Sequence, residues 1–213
     1  MSEIIDPICL GLDLSVTSTG YSFVSNGKVE SGLIKTKPKD FPNSLVRACF
    51  IAGNITGLFG KRKPDFICIE DYFLPIPGIK SISPKTVAQL IELGTLVRFA
   101  ILERSIPFTV VTTGQMKKFV TGNGRSDKAA TMLGLYKRWE IDVDKNDMAD
   151  ATGLALLGRS LFALMIDKPT EVCYNNVELT KPQLETLRDV FKKRTFFNWE
   201  KSLPKVSVSK GIV

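Results

Sequence analysis

Hydrophobic positions fall into short runs at the start of the chain and into broader, helix-spaced groups further on. Apolar residues cluster over 8–16, Tyr21-Ser22-Phe23-Val24 follows the turn-like Thr17-Ser18-Thr19-Gly20, and Asn26-Gly27 precedes a third run over 28–35. Asn-Gly between two such runs is the signature of a tight hairpin turn, so the chain opens as three antiparallel strands. Residues 42–60 carry helical spacing through Leu45, Val46, Cys49 and Phe50, and Asp65-Phe66-Ile67-Cys68-Ile69 reads as a buried strand ending at Glu70. A Pro- and Gly-rich loop over 74–83 leads into a long apolar helix over 84–104 and a strand over 108–111. Residues 114–120 form a short helix, Gly122-Asn123-Gly124 a loop and 126–139 a helix capped by Ser126. A last core helix starts at Asp144 or Asn146 and runs to Met165. The expected fold class is α/β: a mixed sheet, antiparallel in its first three strands and then alternating with helices that flank it.

The chain has 213 residues, enough for one sizeable core and too few for three domains. The division expected is a domain over 1–167 and an extension over 168–213, in which Thr180-Lys-Pro-Gln183 opens a further helix with a capping-box pattern. Lys and Arg number 29 against 22 Asp and Glu, a net charge of +7, which raises anionic partners, nucleic acid first, above the average expectation. Much of the excess lies in residues 181–213, with eight basic residues against three acidic ones. There is no histidine, which excludes Ser-His-Asp triads, His-ligated zinc and an imidazole base. Cys9, Cys49, Cys68 and Cys173 are scattered without a C-x-x-C pair and are expected to be buried free thiols. The N-terminus lacks the basic start and apolar run of a signal peptide, and the longest apolar stretch, over 154–166, is interrupted by Arg159. The expectation is a soluble, cytoplasmic protein without a membrane segment.

Acids in apolar strands are rare because desolvating an unpaired carboxylate is costly, yet Asp13 falls in the first strand and Glu70 closes a later one. Pairing with a buried lysine or capping a helix would explain either one alone. Asp147 and Asp150 add two more acids at i, i+3, which on a helix share one face about 5–6 Å apart at Cβ. On an exposed helix N-terminus they would only complement the dipole. The residues that follow, Ala151-Thr152-Gly153-Leu154-Ala155-Leu156-Leu157, are almost wholly apolar, so these acids enter the edge of a core. Four carboxylates from three segments, with no His and no Cys cluster, are hard oxygen donors suited to Mg²⁺ or Mn²⁺. Two such ions about 3.5–4 Å apart can activate a water and stabilise the leaving oxygen of a phosphodiester without a protein base.

The segment Gly11-Leu-Asp13-Leu-Ser-Val-Thr-Ser-Thr-Gly20-Tyr21 resembles the first strand and turn of the RuvC family of Holliday-junction resolvases, which have a ribonuclease H-like fold. Ile69-Glu70-Asp71-Tyr72-Phe73 resembles the family's second acidic motif, and Asp147-Met-Ala-Asp150-Ala-Thr-Gly-Leu-Ala155 its final acidic helix. Between them, Gly114-Gln-Met-Lys117-Lys-Phe-Val-Thr-Gly122-Asn-Gly124-Arg-Ser-Asp-Lys128 is similar to its stretch of Lys, Gly-x-Gly and Lys. Each piece alone is common; four in one order across residues 8–162 are specific. The resemblance implies that Asp13, Glu70, Asp147 and Asp150 bind two Mg²⁺ and that Lys117 and Lys128 act at the scissile phosphate. It implies that Phe73 stacks on unpaired bases, with Lys118 and Arg125 among the further DNA contacts. The helix over 84–104 is apolar nearly all round, more than one sheet face can cover, and here the resemblance implies a homodimer. Leu14-Ser15 departs from the family's usual Pro-Gly, and the tail beyond 167 has no counterpart.

The function expected is a dimeric, Mg²⁺-dependent, structure-selective DNA endonuclease that resolves four-way junctions, in repair or in the packaging of a virus. The alternatives are a broader flap or branch nuclease, a junction-binding module of the same fold that does not cleave, and a sugar-kinase-like protein sharing the G-x-D strand. In the tail, Lys192-Lys193-Arg194 interleaves with Phe191, Phe196, Phe197 and Trp199, a pattern for gripping DNA, packing on the core or binding another protein.

Overall fold

The computed structural model describes residues 6–25, 27–71, 83–165, 174 and 177–193, together with the backbone of 196–197. Strands β1 (Cys9–Asp13), β2 (Ser18–Ser25) and β3 (Lys28–Lys35) form the antiparallel meander, closed at Ser25↔Lys28 with Gly27 at φ 68°; Asn26 lies outside the described residues. Positive φ is what a two-residue hairpin demands. The bend between β1 and β2 falls at residues 14–17, earlier than the Thr17–Gly20 stretch the sequence suggests. Hydroxyls make it: the Ser15 amide donates to Thr19 Oγ1 at 3.1 Å, Thr19 Oγ1 donates to the Ser15 carbonyl at 2.6 Å, and the Ser18 amide donates to Ser15 Oγ at 3.3 Å. Ser18, Thr19 and Gly20 thereby continue β2.

Helix α1 (Ser44–Lys61) follows a short 3₁₀ turn at Pro38–Asp40 and is capped by Asn43, which accepts from the Val46 amide. Strand β4 (Phe66–Glu70) then runs parallel to β1, and β5 (Phe108–Val111) parallel to β4, with α2 (Pro84–Leu102) as their crossover. Ser83 caps α2; the loop over 74–82 lies outside the described residues. Helices α3 (Thr113–Thr121), α4 (Lys128–Trp139), α5 (Asn146–Met165) and α6 (Lys181–Lys192) complete the layers, and β6 (Phe196–Phe197) pairs with β5. The sheet order is β3-β2-β1-β4-β5-β6, the mixed, helix-flanked arrangement expected. The cap of α4 is Asp127, which accepts from the Ala130 amide at 2.7 Å, and not Ser126.

Strand side chains alternate between two cores. Leu10, Leu12, Phe23, Ile67, Ile69 and Phe108 pack under α1 and α2, while Cys9, Val24, Phe66, Cys68 and Val111 pack under α3, α5 and α6. α5 is the one described helix long and apolar enough to cross a membrane, and it is instead largely buried in this second core. Its buried Arg159 donates to the Pro7 carbonyl at 2.5 Å and pairs with Asp6 at 3.1 Å, which partners the charge while leaving its Nε without a hydrogen bond. Cys9 and Cys68 are buried as expected; Cys49 is exposed on α1, and Cys173 lies outside the described residues.

Helix α5 packs directly on the backbone of the first two strands. A Cβ on Gly11 would stand 1.9 Å from the Ala151 carbonyl oxygen, and one on Gly20 would stand 2.1 Å from that of Asp147. Both neighbours are backbone and cannot yield. Gly11→Ala should therefore lower unfolding stability by about 3 kcal/mol, whereas Gly57→Ala, with open space around its α1 position, should raise it by about 0.5–1 kcal/mol. Urea denaturation of the two variants checks the contrast; equal midpoints would show that α5 does not bear on β1.

Candidate active site

Alternation along β1 and β4 sends the two strand acids to one side. Asp13 shares a face with Cys9 and Gly11, and Glu70 with Phe66 and Cys68, so both stand on the α5 side of the sheet. The parallel register Leu12↔Ile69 sets Asp13 beside Glu70 at the carboxyl ends of neighbouring strands. Asp13 is also opposite Gly20, the residue against which the first turn of α5 lies. That turn carries Asp147 and Asp150 one above the other. The four sequence-predicted acids thus meet at one edge, brought there by strand register and by a helix resting on glycine.

Their environments differ. Asp13 is hydrogen-bonded to Glu70 and its carboxyl is raised to about 9, first by burial, then by that bond and the charges of Glu70, Asp150 and Asp147. Asp150, 7% exposed, is raised to about 6 by burial and by Glu70, against the pull of Lys128 and Lys117. Its Oδ1 is buried with no hydrogen-bond partner. Asp147 accepts from Ser18 Oγ at 2.7 Å and lies 3.8 Å from Lys128 Nζ. Glu70 Oε1 accepts from the hydroxyl of Thr113, in the first turn of α3.

Lys117 and Lys128 belong to this edge: Lys117 Nζ donates to the Ser126 carbonyl at 2.6 Å, which ties α3 to the loop before α4. Lys118 instead pairs with Glu185 of α6 at 2.9 Å, since successive helical residues point about 100° apart. Arg125 is exposed, its amide bonded to Asn123 Oδ1. Phe73 lies outside the described residues. Sequence reasoning misses Ser18 and Thr113; their partners are 129 and 43 residues away, and only the register reveals them.

Among the described residues no group of three or more acids or thiols is already arranged to hold a metal ion. The donor chemistry nevertheless fits a hard divalent cation: carboxylate oxygens only, one buried oxygen lacking any partner, and a carboxyl that keeps its proton because it is buried among other acids. A cation there would displace that proton. Without metal, the folded chain binds protons that the unfolded chain has released, so this contribution to stability is full below about pH 4 and declines as pH rises through about 6 for Asp150 and about 9 for Asp13. In EDTA, Asp13→Asn should melt above the parent chain at pH 9, the gap closing toward pH 4. A gap independent of pH in thermal melts would contradict this assignment.

The family model described as crossover junction endodeoxyribonuclease RuvC matches residues 9–157. The RuvC of Aliarcobacter butzleri is 31% identical over 154 residues, covering 69% of this chain and 94% of that protein. The RuvC of Brachyspira hyodysenteriae is 29% identical over 154 residues, covering 70% and 91%. In fold, the chain is similar to Thermus thermophilus RuvC in complex with a Holliday junction substrate, with a TM-score of 0.62 at 18% identity over 75% of this chain and 96% of that one. The kinase alternative is set aside by these matches.

Proposed function

The chain belongs to the RuvC family, the crossover junction endodeoxyribonucleases that resolve Holliday junctions, and on that premise we propose that Asp13, Glu70, Asp147 and Asp150 hold magnesium for the cleavage. The observation that carries this site reading is the partnerless buried oxygen of Asp150 beside a carboxyl pair that rests only with a proton or a cation. Magnesium, with manganese as a substitute, supplies activation of the attacking water and stabilisation of the leaving oxygen in an in-line displacement. Ser18 and Thr113 orient the carboxylates that receive their hydrogen bonds. Lys117 and Lys128 bring positive charge to the phosphate at the same edge. With no histidine in the chain, no imidazole shares in the proton transfers.

The substrate in this reading is branched DNA, four-way junctions above flaps and forks. Phe73 stacks on unpaired bases, Arg125 grips the backbone, and Lys118 does so when it releases Glu185. The catalytic unit is 1–167, with 168–213 an appended extension, in a protein of the cytoplasm. A second copy of the chain covers α2, whose Ile91 and Phe99 are 39% and 55% exposed, and so presents two sites to a symmetric junction.

Mg²⁺-dependent cleavage of a panel of junction, flap, fork and duplex DNAs tests reaction and substrate together. Junctions should be cut first, and Asp13→Asn should bind junctions without cutting them; undiminished cleavage by that variant would sink the assignment. Junction affinity should fall steeply with salt as counterions leave the phosphates. Sedimentation tests the pairing separately: Phe99→Glu should convert dimer to monomer, and a parent chain that sediments as a monomer rules it out.

A further inference from the structure

Helix α6 lies beyond residues 9–157, the span the family model matches. It is firmly seated. Leu187 and Val190 are 0% and 1% exposed within the core under α3 and α5, and Gln183 closes a capping box on Thr180. Two polar ties run from it to α3: Glu185 to Lys118, and Asp189 Oδ2, which accepts from Gln115 Nε2 at 2.7 Å.

The second tie leads to the acids. Gln115 Oε1 accepts from the Thr112 amide at 2.9 Å and so closes the capping box at the start of α3. A backbone amide can only donate, which fixes the orientation of the Gln115 carboxamide and turns its NH₂ toward Asp189. Directly after the N-cap Thr112, in the same first turn, stands Thr113, whose hydroxyl donates to Glu70 Oε1. A continuous path of hydrogen bonds and one helical turn therefore joins α6 to a carboxylate of the acidic edge.

Glu70 needs such a hold. Its side chain turns about three single bonds, and once a cation displaces the proton of the Asp13 carboxyl bonded to it, the neighbouring carboxylates repel it. Thr113 is β-branched and stiff, and the nine-residue α3 that carries it is too short to be stable alone, so its placement comes from what packs against it. We propose that α6 braces the catalytic edge, with Asp189, Gln115 and Thr113 as positioning residues that hold Glu70 ready for the metal. The inference rests on the metal-site reading above.

The test uses the full chain and four variants: Thr113→Val and Asp189→Ala, which remove a hydrogen bond, and Thr113→Ser and Asp189→Asn, which keep one. Three quantities are read: single-turnover cleavage at saturating junction, junction affinity in EDTA, and the Mg²⁺ concentration at the midpoint of the Mg²⁺-induced thermal shift. Thr113→Val should slow cleavage and raise the Mg²⁺ midpoint by about 10-fold each, Asp189→Ala should move both the same way to a smaller extent, and the conservative variants should restore them. Junction affinity in EDTA should stay unchanged. Parent-like rates and midpoints in Thr113→Val and Asp189→Ala overturn the brace, as do losses that Ser and Asn fail to restore. Affinity that weakens in step with the rate also overturns it and assigns α6 to DNA contact. A parent chain that shows the thermal shift without cleaving refutes the nuclease reading alone, and the midpoints still judge the brace; one with no Mg²⁺ shift refutes both.

Discussion

The acidic edge depends on helix α5 lying directly on the backbone of β1 and β2. Gly11 and Gly20 make that approach by offering no side chain where the Ala151 and Asp147 carbonyls come down. Further along, the helix is fixed by Arg159, buried against the Pro7 carbonyl and Asp6. A rigid helix held at two places has no freedom to slide, so Asp147 and Asp150 reach the ends of β1 and β4 as a consequence of packing. Without the glycines an ordinary side chain would lift the helix and separate its acids from Asp13 and Glu70.

Once assembled, the carboxyl groups cannot all be charged at rest. Burial and mutual repulsion keep a proton on Asp13 and raise Asp150, while Lys117 and Lys128 pull the other way without closing on Asp150 Oδ1. Lys117 is engaged by the Ser126 carbonyl and Lys128 stands 3.8 Å from Asp147. Positive charge is thus near enough to temper the repulsion and leaves one Asp150 oxygen unclaimed. An edge built this way is stressed in a manner that a small, hard cation relieves better than a lysine, because the ion can gather several carboxylate oxygens at once while an ammonium must carry its own bulky stem into a buried place.

The strand acids are legible in the sequence because a carboxylate in an apolar run stands out against its neighbours, and Asp147 and Asp150 because their spacing shares one helical face. The antiparallel start of the sheet follows from the hairpin signal at Asn26-Gly27. Hydroxyl partners are not legible: Ser and Thr are common at strand ends and helix starts, and Ser18 and Thr113 acquire their roles only through contacts distant in sequence. Ser126 and Asp127 are both competent caps, and the sequence pattern does not discriminate between them; in the fold the Ser126 carbonyl receives Lys117, and α4 starts one residue later than a Ser126 cap would have it. Lys117 and Lys118 look alike in sequence, yet the helix turns one toward Ser126 and the other toward Glu185.

The same rotation explains why helix α6 can settle on α3 without obstructing the acids. One side of α3 carries Lys117 toward the edge, and the neighbouring side carries Gln115 and Lys118 toward α6. Sealing that second side buries Leu187 and Val190 and ties down the short helix that presents Thr113 to Glu70. Stability gained on the outer face of α3 is thereby delivered to the inner one, because a helix of nine residues moves as a unit. A helix packed in this way can sharpen a site through its neighbour.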